Sequence, residues 1–322
     1  MKKIDAHAHL GYIGGWANVK MDADELISLM DTYEIETTMI CVLDNEVAYK
    51  AMQKYPGRIE GCVYVNPLEP DCLDLIDKYV KLGFKAIKLQ PLRHAYCADS
   101  EVVDPILDKA EEYGIPVCIH SGHPPYSLPW QIGLLAERHP NCKVLMIHMG
   151  HGHGVYIDAA LKMARRYPNI YLEMSGMPMH TKIKEAYDTV GHNRIMFGTD
   201  TPFHHPTVEM QKVLMCGVDE QGLEDIFYNN AKAYLESEQA KEDKRDLERS
   251  KTGWVADYDA AKRYKEALEI KERYEEREKR AEQHRKKMEI IEEQMTSYSK
   301  KIQENQEKIT KVEGDNKQGR SY

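Results

Sequence analysis

The chain has 322 residues, 44 Lys+Arg against 53 Asp+Glu, and a formal net charge of −9. A chain of this length can bury one large core or two modest ones, and the acidic balance excludes a general nucleic-acid binder. Seven cysteines without C-x-x-C spacing, the absence of a signal-peptide pattern, and no apolar run near the ~18 residues of a membrane span predict a soluble, cytoplasmic protein with reduced thiols.

Up to about residue 236, short apolar runs alternate with helix-like segments. The predicted strands cover 3–9, 37–43, 59–65, 85–89, 115–120, 143–149, 169–174 and 194–198. Between them come helical spacings such as Leu26/Leu29/Met30/Tyr33 and Leu73/Leu75/Ile76/Tyr79/Val80. Gly83, the Tyr113-Gly114-Ile115-Pro116 stretch and Tyr167-Pro168-Asn169 mark turns from helix to strand. Strands that are apolar throughout and alternate with helices indicate parallel βα units. Eight of them in this length match a (β/α)8 TIM barrel. An open doubly wound sheet is the alternative, but no Gly-rich phosphate turn follows the first strand.

Beyond residue 236 the composition changes. Residues 237–322 carry 22 Lys+Arg and 21 Asp+Glu, so half of them are charged. Ala260, Ala267, Tyr274, Ala281, Met288, Met295, Ile302 and Ile309 recur every seven residues. The positions three residues later, from Arg263 and Ile270 to Asn305 and Val312, are apolar only in places. The expectation is a charged helical tail that either self-associates as a coiled coil or stays solvated and partly disordered.

In a (β/α)8 barrel the chemistry sits at the C-terminal ends of the strands. The first strand ends in His7-Ala-His9, and alternation along a strand aims both imidazoles at one spot. The fifth ends at His120, the sixth at His148, and the eighth leads into Asp200. A single histidine in an apolar strand is more often a hydrogen-bonded core residue. Three histidine-bearing strand ends and one acidic one toward a single mouth are harder to explain as packing, because buried imidazoles and carboxylates are costly unless paired or metal-bound. The set converges on a metal.

These motifs resemble a known family. Asp5-Ala-His-Ala-His9, Gly83-Phe-Lys-Ala-Ile-Lys-Leu-Gln-Pro91, Ile119-His-Ser-Gly122, Lys143-Val-Leu-Met-Ile-His-Met-Gly150, Asn169-Ile-Tyr-Leu-Glu-Met-Ser-Gly176, Arg194-Ile-Met-Phe-Gly-Thr-Asp-Thr-Pro202 and Tyr228-Asn-Asn-Ala231 look like the amidohydrolase-related group that includes aminocarboxymuconate-semialdehyde decarboxylase. The resemblance covers residues 1–236 and leaves the tail outside. It implies that His7, His9, His120 and Asp200 bind one divalent ion, usually zinc, with manganese as the alternative. It further implies that His148 orients or deprotonates the metal-bound water and that Asp200 works as acid and base.

Lys88 stands near the end of the fourth strand. In some metal-dependent hydrolases a lysine there is carbamylated and bridges two ions. The residues around Lys88 look like the one-metal branch, so it is expected to hold a substrate carboxylate or to pair with an acid inside the barrel mouth. His123, His151, His153, His180, His204 and His205 gather on the predicted rim. A solvated loop face is the simplest account of most of them. His123, His151 and His180, with Arg93 in the strand-four loop, are the candidates for touching substrate. The family supports two reactions: hydrolysis of an ester, lactone or amide, and nonoxidative decarboxylation of a small acid. The short βα loops tilt the expectation toward hydrolysis of a small molecule, by analogy of fold. A further alternative makes the barrel a scaffold and the tail a coiled-coil interaction module. Self-association through either part is the expected kind of protein partner.

Overall fold

Strands that are apolar on both faces need cover on both, and this chain supplies it with a helix after every strand. The structure is a computed structural model that describes residues 1–15 and 17–235. Its main sheet has eight strands: β1 (Lys3–Ala8), β2 (Ile35–Cys41), β3 (Ile59–Tyr64), β4 (Ala86–Leu89), β5 (Val117–His120), β6 (Val144–Ile147), β7 (Ile170–Glu173) and β8 (Ile195–Met196). Each pairs in parallel with the next along the chain. The helices that follow them are α1 (Ala23–Thr32), α2 (Asn45–Lys54), α3 (Cys72–Lys81), α4 (Asp104–Tyr113), α5 (Pro129–Arg138), α6 (Gly154–Arg166), α7 (His180–Thr189) and α8 (Pro206–Leu214).

The sheet curls back on itself. Ala6 N–H donates to the Phe197 carbonyl at 3.0 Å, Asp200 N–H to that of His7 at 2.8 Å, and His9 N–H to that of Thr201 at 2.7 Å. These bonds lay the end of the sheet along β1 and leave a nearly closed barrel, consistent with the (β/α)8 architecture.

Alternation along the strands divides the core in two. Ile40, Val63, Ile87, Ile119 and Met146 face outward under the helices. Met39, Cys41, Cys62, Ala86, Cys118 and Leu145 face inward, and Ala231 and Tyr234 of the helix Asn230–Leu235 pack on them from one end. Cys41, Cys62, Ala86 and Cys118 keep the inward positions of β2 to β5 short next to the mouth. That choice leaves the interior room for longer polar side chains farther along the same strands. All seven cysteines are free thiols.

Local chemistry sets the element ends. Asp22 caps α1 by accepting from Asp24 N–H and Glu25 N–H, both at 2.9 Å, and Glu25 returns the bond to Asp22 N–H at 2.8 Å. Gly114 ends α4 in the left-handed region, with φ 63°, where a side chain would be strained. The predicted strands all occur, with shifted edges. β6 stops at Ile147, because the backbone turns left-handed at His148. β8 keeps only Ile195–Met196 in the ladder, since Phe197 N–H bonds instead to Ile226 of the closing helical segment. An antiparallel hairpin of Gly11–Ile13 and Val19–Met21 has no counterpart in the sequence reading, since three-residue strands are too short to show a period. Among the described residues no helix is long and apolar enough to cross a membrane. The heptad segment and the expected tail, residues 237–322, lie outside the described residues.

Candidate metal centre

The β1–β8 side of the mouth brings opposed acceptors together. His7 and His9 stand with ring centroids 4.7 Å apart, and both Nε2 atoms approach Asp200 Oδ1, at 3.4 and 3.1 Å. The donor atoms of His7, His9 and Asp200 all lie within 4.8 Å of one another. His9 Nδ1 sits 2.7 Å from the Cys41 carbonyl, which can only accept, so Nδ1 carries the proton and a neutral His9 turns the lone pair of Nε2 toward the carboxylate. Burial favours a neutral Asp200, but the imidazoles of His148 and His9 outweigh it and hold the group down to about 2. Burial likewise works against a charged His9, yet Asp200 prevails and raises it. His7 is pushed well down, by burial first and then by Lys88 and the other imidazoles. Two imidazoles meeting a buried carboxylate at one point call for positive charge between them, and an N,N,O donor set suits a borderline divalent ion. The residues present fit one.

Asp5 ties these ligands to their strands. Its Oδ1 accepts from His7 N–H at 3.1 Å and Thr199 N–H at 2.9 Å, and its Oδ2 from the Thr199 hydroxyl at 2.6 Å. One buried carboxyl therefore fixes β1 beside the segment that delivers Asp200. Burial, partly offset by these bonds, raises Asp5 to about 7.

The β5–β6 side is built of neutral imidazoles. His120 packs edge-on to His148 with centroids 4.7 Å apart, and its Nε2 is engaged with His123 Nδ1 at 2.9 Å. It lies outside the close donor group of His7, His9 and Asp200. His148 gives its Nδ1 proton to the Ser175 carbonyl at 2.8 Å, which leaves Nε2 as an acceptor. Burial takes His148 down to about 3 and His120 well below its ordinary value. His151 packs at a tilt against His123, with centroids 4.7 Å apart, and edge-on to His148 at 5.3 Å, so both rim histidines join this cluster. Ser121 straps β5 to β6 by donating to the Ile147 carbonyl at 2.5 Å and accepting from Gly150 N–H at 2.9 Å.

The other expected residues are more scattered. Lys88 is 1 % exposed, and its Nζ has no hydrogen-bond partner, although its charge is felt by His7, His120 and His148. Arg93 is exposed in the short helix Pro91–His94. His180 is the exposed first residue of α7 and shares neither a hydrogen bond nor a ring contact with the cluster. His204 is held on the rim by Glu209, whose Oε1 lies 2.9 Å from Nδ1, and Lys212 pairs with the same buried carboxylate.

Asp5, Glu173, Ser175, Ser121 and Glu209 were not among the residues singled out from sequence. The signal for Glu173 was a lone acid in the apolar run of residues 170–173, where a charge needs partners. The same holds for Asp5 in the first strand.

The sequence model of the amidohydrolase family matches residues 4–236. The chain belongs to that family. No curated protein matches this sequence. Its fold is similar to that of 2,6-dihydroxybenzoate decarboxylase from Rhizobium, with 17% identity over 73% of this chain and 98% of that one and a TM-score of 0.58. It is also similar to 5-carboxyvanillate decarboxylase from Novosphingobium aromaticivorans complexed with manganese (16% identity, 73% and 96% covered, TM-score 0.58). A third similar structure is a probable 2-pyrone-4,6-dicarboxylic acid hydrolase from Acinetobacter baumannii with citric acid bound (16%, 73% and 99%, TM-score 0.60). At such identities the likeness establishes the fold alone, and the named proteins include both decarboxylases and a hydrolase.

Proposed function

We propose that this member of the family is a metal-dependent hydrolase of a small carbonyl compound, an ester, lactone or amide. The observation that carries the reading is the close donor group of His7, His9 and Asp200, facing a second set of imidazoles across the barrel mouth. The three residues would hold one divalent ion, zinc or manganese, with His120 as fourth ligand once its Nε2 leaves His123. Such an ion lowers the pKa of a water toward ~7 and polarises a carbonyl oxygen.

This chain's residues supply the proton handling. Asp200 is kept ionised, so its carboxylate can take a proton from the attacking water and later pass it to the leaving oxygen or nitrogen. His148, with Nδ1 committed to Ser175, offers Nε2 to the same water or to the substrate. Both groups rest in their proton-accepting forms, as hydrolysis requires.

One observation favours a second reading. The buried, unpartnered ammonium of Lys88 suits a substrate carboxylate, and a carboxylate is what nonoxidative decarboxylation removes. Purified full-length protein loaded with zinc or manganese should be assayed on esters, lactones, amides, and aromatic and dienoic acids. Hydrolysis without CO₂ release is expected. Release of CO₂ from an acid, with no turnover of any ester, lactone or amide, would reverse the ranking.

A further inference from the structure

From His148 to His151 the backbone runs through the left-handed region, with φ of 67° at His148, 47° at Met149, 86° at Gly150 and 62° at His151. A non-glycine residue is strained there and persists only where the surroundings over-determine it. Glu173, at the end of β7 and fully buried, is placed to do this. Its Oε2 accepts from His148 N–H at 3.1 Å and from the Ser175 hydroxyl at 2.9 Å, and its Oε1 accepts from Ser175 N–H at 2.5 Å. The Ser175 carbonyl held in this way is the group that accepts the His148 Nδ1 proton. A single carboxyl thus fixes both the backbone from which the imidazole hangs and the acceptor that selects its tautomer.

The surroundings are shaped for this acid. A Cβ at position 198 would lie 2.3 Å from Glu173 Oε1, so Gly198 makes its place. No lysine or arginine among the described residues pairs with it, so an ion pair does not account for an acid in this strand. An apolar residue could fill the space at lower cost. We propose that Glu173 is a positioning residue for His148, setting the left-handed turn and the Nδ1–H tautomer that point Nε2 into the mouth. This rests on the reading that His148 handles a proton in the reaction.

The test uses ¹⁵N-labelled, metal-loaded full-length protein and E173Q, which keeps the shape but sets an amide NH₂ against one of the two backbone N–H donors. Nitrogen spectra of the His148 ring, assigned by difference with H148Q, report the tautomer. The wild type should show Nδ1 protonated and Nε2 bare, and E173Q a mixture. On the substrate found in the panel, kcat of E173Q should fall about 10–100-fold, with KM and bound metal little changed. If E173Q does not fold, E173D carries the test with the same readouts, because the shorter side chain cannot span both the His148 and the Ser175 N–H donors. A single wild-type tautomer in the folded variant overturns the proposal, as does a fall in kcat accompanied by loss of the metal. A mixed tautomer with unchanged kcat keeps the clamp and removes His148 from the reaction.

Discussion

The two sides of the barrel mouth use the same residue type for opposite ends. On the β1–β8 side, His7 and His9 meet a carboxylate, and the three groups leave negative charge unmatched at one point. On the β5–β6 side, His120, His123, His148 and His151 meet one another, and the proton on His148 Nδ1 is committed to a backbone carbonyl. What separates them is the partner and not the imidazole. A carboxylate in the group makes a cation site, and a carbonyl behind a ring makes a fixed neutral base. Each side also has its own buried carboxyl, Asp5 for one and Glu173 for the other, that accepts two backbone N–H groups and a hydroxyl.

The sharpest break is at Asp200, which serves both sides. Asp200→Ala removes a ligand and a proton acceptor together. It should lower kcat/KM by about 10⁴-fold or more with loss of bound metal; steady-state kinetics and metal analysis on one preparation would show both. His148→Gln touches only the neutral side. A fall in kcat of about 10²–10³-fold with the metal retained is expected, and metal loss in that variant would erase the distinction between the sides. Asp5→Asn should weaken metal affinity about 10–100-fold, measured by competition with a chelator, since the Thr199 hydroxyl that now donates to Oδ2 would face an amide NH₂.

Glu173 also gives the neutral side a pH signature. Burial raises it from the ordinary value of 4.5 to about 8 against the bonds that favour its ionised form, with His148 and Asp200 the titratable groups around it. A raised carboxyl contributes stability that is fully present below its unfolded value and is lost as pH rises through its folded value. The melting temperature should therefore carry a downward contribution between about pH 4.5 and 8, and E173Q should flatten it. An equal slope in E173Q would contradict this. The smallest effect belongs to His180→Ala. That residue is exposed and apart from both clusters, so kcat/KM should change by less than about twofold. A tenfold rise in KM would return it to the substrate face.

Periodicity and strand-end logic located all eight strands and put His7, His9 and Asp200 at one end of the barrel, because parallel βα units leave those signals in the local sequence. The partners behind them were harder to see. Glu173 and Ser121 act on residues 25 to 29 positions away, and no local pattern encodes which backbone N–H an acid will face. The left-handed turn after β6 was hidden for a related reason, since His148 and Met149 adopt a conformation that their residue types do not favour and that the fold imposes. His180 reads like a rim residue only because it follows a strand. Its position at the start of α7 takes it away from the cluster.

Metal analysis of the full-length wild type, His7→Ala and His148→Gln, prepared side by side, tests the division of the mouth most directly. One divalent ion per chain should be found in the wild type and in His148→Gln, and little or none in His7→Ala. Full metal content in His7→Ala, or two ions in the wild type with added mass on Lys88, would contradict it.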